Sequence, residues 1–87
     1  MLIITKKTHI AAFITMARRS VREEGHVLLS ARGKQVQRLM ELAWILSKEL
    51  DSFSQEIKIS THEDQMHVDC TVRGVYTDEE DEEDEED

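Results

Sequence analysis

Two amphipathic stripes at helical spacing enclose a short apolar run, and past Leu50 the period changes to strict alternation. From Thr8 the residues Ile10, Phe13, Ile14, Ala17 and Val21 recur at three and four, with Arg18, Arg19 and Arg22 set apart, and Gly25 closes the segment as a helix stop. "HVLLSA", between Gly25 and Gly33, has the length and composition of a buried strand. Val36, Leu39, Met40, Ala43, Ser47 and Leu50 then predict a second helix from about Lys34 to Leu50. "EIKIST" and "MHVDCTVRGVY" alternate on either side of the polar "HEDQ", the pattern of a hairpin, and "LIIT" at the front is a short β-branched strand. The order is β-α-β-α-β-β. It predicts a small two-layer α/β sandwich, with two helices on one face of a four-stranded mixed sheet.

An 87-residue chain with one cysteine, Cys70, has no internal disulfide and fits a reducing compartment. The run "MLII" gives way at once to Thr5, Lys6 and Lys7, too short for a signal peptide, and no apolar run approaches a membrane span. The expected place is therefore the cytoplasm, at the nucleoid, or a nucleus. The net charge of -8 averages two unlike pieces. Residues 78 to 87, "DEEDEEDEED", hold 10 of the 19 acids, which leaves 11 Lys and Arg against 9 Asp and Glu in residues 1 to 77. The expected organisation is a domain over 1 to 77 with a net charge of +2, followed by a disordered acidic tail over 78 to 87. Within the domain the cations lie forward: residues 1 to 40 hold eight of them against Glu23 and Glu24.

"SARGKQVQRL", residues 30 to 39, places three cations around a glycine where a strand meets a helix. Gly33 permits a turn that a side chain would hinder, and the first amides of the following helix lack intrahelical partners. Cations near a helix start are otherwise unfavourable, so Arg32, Lys34 and Arg38 together imply an anion such as phosphate, which arginine can hold with two parallel hydrogen bonds. On the second helix Leu42 and Ile45 lie outside the Val36/Met40/Ala43 stripe, where they either form the contact for a second subunit or line a wider core.

"ITKKTHI" after the first strand, and "SARGKQVQRLMELAWIL" running from the second strand into the second helix, resemble the Alba family of small dimeric chromatin and RNA-binding proteins over residues 2 to about 60. The resemblance implies an Alba-like fold, a homodimer or a heterodimer with a paralogue, and binding to DNA or RNA backbone with little sequence preference. It adds Lys6 and Lys7 to Arg32, Gly33, Lys34 and Arg38 as the nucleic-acid-binding set. Two departures stand out. The hairpin arm, long and basic in the family, reads here as short, with Glu63 and Asp64 at its tip, and the acidic tail could compete for the cationic edge, solubilise the chain or bind a basic protein.

Other chemistry finds less support. "HEDQMHVDC" holds His62, Glu63, Asp64, His67, Asp69 and Cys70, but strand alternation sends Cys70 one way and His67 and Asp69 the other, which argues against both a metal site and a Cys/His nucleophile. No phosphate loop or nucleophile elbow is present, so neither an enzyme nor a cofactor is expected. The aromatic residues Phe13, Trp44, Phe53 and Tyr76 form no visible stacking platform, which favours a reader of the phosphate backbone. With about 4 to 6 phosphate contacts, log K should fall against log salt with a slope of roughly -3 to -5. The competing expectation is a protein-interaction subunit of a heterodimer within a larger ribonucleoprotein.

Overall fold

A computed structural model describes residues 1 to 76. The acidic tail expected over 78 to 87, with Thr77, lies outside the described residues. The elements are β1 (Leu2–Ile3), α1 (Ile10–Glu24), β2 (His26–Arg32), a 3-10 turn (Gly33–Gln35), α2 (Val36–Glu49), β3 (Asp51–His62) and β4 (Gln65–Val75). The sheet order is β1-β2-β4-β3. β1 runs parallel to β2, while β4 is antiparallel to both β2 and β3. This is the small α/β fold that the alternation of periods predicts.

Each helix forms because one stripe is apolar and meets the same sheet face. α1 buries Phe13, Ala17 and Val21, and α2 buries Leu39, Leu42, Ala43 and Leu46. The sheet answers with Val27, Leu29 and Ala31 from β2 and Val68, Cys70 and Val72 from β4, joined by Ile4 and Leu50. Every second strand residue faces the helices, as the pleat requires. Gly25 ends α1 in the left-handed region at φ 83°, donating its amide to the Val21 carbonyl at 2.8 Å. Its own carbonyl accepts the Gly74 amide at 3.3 Å, which ties the end of α1 to the end of β4.

Two expectations need correction. Leu42, expected at a subunit contact or in a wider core, is fully buried and so belongs to the core, and Ile45 is half-buried. Met40 and Trp44 face outward instead, Trp44 at 60% exposure. Within residues 39 to 46 only Glu41 is polar. Spacing therefore does not fix which side of α2 turns inward, and the core-facing line runs through Leu39, Leu42 and Leu46, rotated from the expected one. β3 is also longer than "EIKIST". It begins at Asp51, and a bulge between the Asp51–Val75 and Ser54–Arg73 pairs, with Ser52 at φ 55°, offsets its first residues from the alternation.

The hairpin closes through Glu63 and Asp64, both at positive φ (55° and 67°), the geometry of a tight two-residue turn. Arg32 is the last β2 residue paired with β4, opposite His67. Only the Thr61–Met66 and His62–Gln65 pairs extend beyond it. The arm therefore projects little, in line with its short turn.

Candidate nucleic-acid interface

The parallel β1–β2 pair sets the loop after β1 beside the turn after β2. The Ile4 amide continues the ladder by donating to the Ser30 carbonyl at 2.8 Å. From there the chain turns away through Lys6 and Lys7 toward α1, while β2 runs into Arg32, Gly33 and Lys34. Gly33 sits at φ 61°, the left-handed region, and this conformation turns the strand directly into the 3-10 segment. A Cβ there would lie 3.3 Å from Nε2 of Gln65, so the hairpin end packs closely on the glycine. Among the described residues no side chain caps the turn or the start of α2. The first amides of the turn lie at the positive end of the helix dipole, and that of Val36 donates to the Gly33 carbonyl.

Together these segments form a depression of about 880 Å³. Lys6, Arg32 and Lys34 line it with Gln35, Gln65 and His67, and among the described residues no carboxylate does. All three cations are exposed. Lys7, also exposed, is on the same loop but outside the depression.

Arg38 makes structural bonds that its place in the motif does not announce. Its Nη1 donates to the Thr5 carbonyl at 3.2 Å and to the Thr8 carbonyl at 2.8 Å. It thereby brackets the lysine pair from both sides and fixes the loop to α2. Sequence reasoning also missed Gln65 and His67. Their place follows from the hairpin register, in which His67 stands opposite Arg32.

The residues weighed for other chemistry are dispersed. Cys70 is buried, and burial pushes its thiol up, away from the reactive thiolate. His67 and Asp69 lie on the sheet face away from the helices, beside Ser30, Thr71, Glu56 and Lys58. Among the described residues no three metal-binding side chains come together.

A second surface lies on the helix side of the sheet. β3 extends beyond the cover of the helices, so Ile57 and Ile59 are exposed with Met66 across the hairpin. Beside them Met40, Trp44 and Phe53 line a groove of about 370 Å³ between α2 and β3. Among the described residues no helix is long and apolar enough to cross a membrane. No protein-family model matches the chain, and no curated protein matches it in sequence.

Proposed function

We propose that the chain binds nucleic-acid backbone through the depression between the β1–α1 loop and the β2–α2 turn, and that it does so as a dimer. The observation that carries this reading is the meeting of Lys6, Arg32 and Lys34 at the start of the 3-10 turn into α2, with no carboxylate among the described lining residues. Backbone amides and cations so arranged complement phosphate oxygens by charge and by hydrogen bonding. They offer no base-reading surface, so sequence preference is weak. The family resemblance agrees with this reading, and a packaging role for DNA or RNA follows from it. Lys6, Lys7, Arg32 and Lys34 contact phosphate, and Arg38 positions the lysines.

The subunit contact is formed by Met40, Trp44, Ile57, Ile59 and Met66. A pair related by two-fold symmetry presents the basic depression twice. That same apolar surface favours a second reading, in which the partner is a different protein and the chain is one half of a heterodimer in a ribonucleoprotein. Sedimentation of the isolated chain separates the two, since a stable homodimer supports the first and a monomer the second.

The deciding test of binding is a salt titration against a duplex DNA and a structured RNA of equal length. Four phosphate contacts in a dimer give a slope of roughly -3.6. The triple variant Lys6→Ala/Arg32→Ala/Lys34→Ala should lose most of that slope. Tight binding with no salt dependence, or no binding at low salt, would overturn the proposal.

A further inference from the structure

Beyond the lysine loop, the described cations gather in one other place. Arg18, Arg19 and Arg22 form a row on α1, around a concavity of about 340 Å³ that they line with Thr15 and Glu23. The end of the described chain is fastened against this row. Tyr76 donates its hydroxyl to Oε1 of Glu49 at 2.9 Å, and the Arg22 guanidinium lies 4.4 Å from the centre of its ring. Glu49 also takes the Arg18 guanidinium through both carboxylate oxygens. Two residues past Tyr76 the sequence enters ten consecutive carboxylates.

We infer that the acidic run 78 to 87 docks along the Arg18/Arg19/Arg22 row of its own chain. Position decides between this row and the Lys6/Arg32/Lys34 depression. β4 carries the chain from His67, beside the depression, to Tyr76, a path of about 30 Å at ~3.3 Å per residue. Ten fully extended residues span at most about 33 to 36 Å. The run would have to stretch back across the whole sheet to bring its last carboxylates to Lys34, whereas its first ones follow by only two residues Tyr76, whose ring lies against Arg22, so their effective concentration there is high. Spacing agrees with the short path. Arg18 and Arg22 are one turn apart, about 6 Å along the helix, and alternate carboxylates of an extended chain recur at about 6.6 Å. Arg19 is held only loosely by Glu23, at 3.7 Å with both side chains largely exposed, so it can exchange that partner for a better one.

The docked run neutralises Arg19 and Arg22, beside Arg18, which Glu49 already pairs. Anion binding is then confined to the lysine loop, and the full chain has one basic surface where the shortened chain would have two. This inference holds whether or not the depression binds nucleic acid, and its test contains none.

The test uses the full chain with Glu82→Cys, carrying a nitroxide on the introduced thiol while Cys70 is buried and unreactive. At about 0.01 M salt, where screening extends to about 30 Å, the amide signals of residues 15 to 23 should be broadened selectively; at about 1 M salt, where it shrinks to about 3 Å, they should recover. Arg19→Glu/Arg22→Glu in the labelled chain should restore those signals at low salt. Broadening centred on residues 5 to 8 and 32 to 38 would overturn the inference, and so would the absence of any salt-sensitive broadening. A mixture of labelled chain with isotope-enriched unlabelled chain should show no effect; broadening there would place the contact between copies and overturn the intramolecular assignment.

Discussion

Nη1 of Arg38 donates to the Thr8 carbonyl at 2.8 Å, fastening α2 to the loop that carries Lys6 and Lys7. With its second bond, to Thr5, one guanidinium closes both ends of a four-residue span around the lysines. Arg38→Ala should therefore cost stability as well as binding, about 1 to 2 kcal/mol for bonds from a charged donor at a half-buried site. Affinity for duplex should fall while the salt slope stays nearly unchanged, because every phosphate keeps its cation. Lys34→Ala should do the opposite, leaving stability intact and reducing the slope by about 0.9 for each phosphate that is no longer neutralised. Denaturant melts and salt titrations of both variants check this.

The Arg18 hydrogen bond holds the Glu49 carboxyl below its usual range, opposed by burial and helped by the Tyr76 hydroxyl. A carboxylate with a depressed folded value adds stability that is fully present above the unfolded value, about 4.5, and is lost as pH falls through the folded one. Glu49→Gln keeps the shape but not the charge. The stability difference between the parent and this variant should be constant at neutral pH and should narrow below about pH 4.5. Denaturant midpoints across the acid range measure it; a difference that does not narrow counts against the ion pair.

The alkaline side has its own reporter. Burial, then the hydrogen bond to Glu49, pushes Tyr76 up to about 12. Since the folded value is raised above the ordinary 10, the contribution of Tyr76 to stability is whole below pH 10 and disappears as pH rises through about 12. Tyr76 is the only tyrosine of the chain, so phenolate absorbance reads this group alone. Its titration should be centred near 12 in the folded chain and near 10 in denaturant. Tyr76→Phe should remove the part of the alkaline loss of stability that this ionisation causes.

Much of the fold was legible because helix and strand periods differ. Ile10 to Val21 fit only the first and Ile57 to Val72 only the second, and the glycines at 25 and 33 mark the joints. Where a stretch is apolar all round, the same logic has no purchase: the run from Leu39 to Leu46 permitted several rotations, and burial of Leu42 and Leu46 in the core cluster that holds Leu29 and Val72 chose one. The start of β3 was hidden for a related reason, since the bulge at Ser52 breaks the two-residue period. At the site, the residue types around Gly33 were readable as a local motif. The bracket from Arg38 was not, because it joins groups about thirty residues apart through carbonyls that every residue possesses.

Gly33 offers a test of the turn that separates its two constraints. A Cβ at φ 61° is strained in itself, and it would crowd the Gln65 side chain at 3.3 Å. Gly33→Ala should cost about 1 to 2 kcal/mol and weaken phosphate binding by displacing Arg32 and Lys34. In a Gln65→Ala background the crowding is gone and the backbone strain remains, so the cost of Gly33→Ala should shrink without vanishing. A thermodynamic cycle over the four proteins reads the coupling.

Leu42 and Trp44 are two residues apart on α2 and face opposite environments, one wholly enclosed and the other 60% exposed with the Lys48 ammonium 4.7 Å from its ring centre. Leu42→Ala leaves a cavity between α2 and the sheet, and should lower stability by about 2 to 5 kcal/mol. Trp44→Ala leaves the core packing intact. It should leave a monomer as stable as the parent monomer, yet weaken self-association, and Ile57→Glu/Ile59→Glu should abolish association by burying charge at the contact. Because Trp44 is the only tryptophan of the chain, its emission follows the same event directly, shifting to shorter wavelength as protein concentration rises and the ring leaves water. Emission that stays constant while the mass doubles would place the subunit contact elsewhere on the molecule. Emission that shifts only when a second protein is added would assign this surface to a heterodimer.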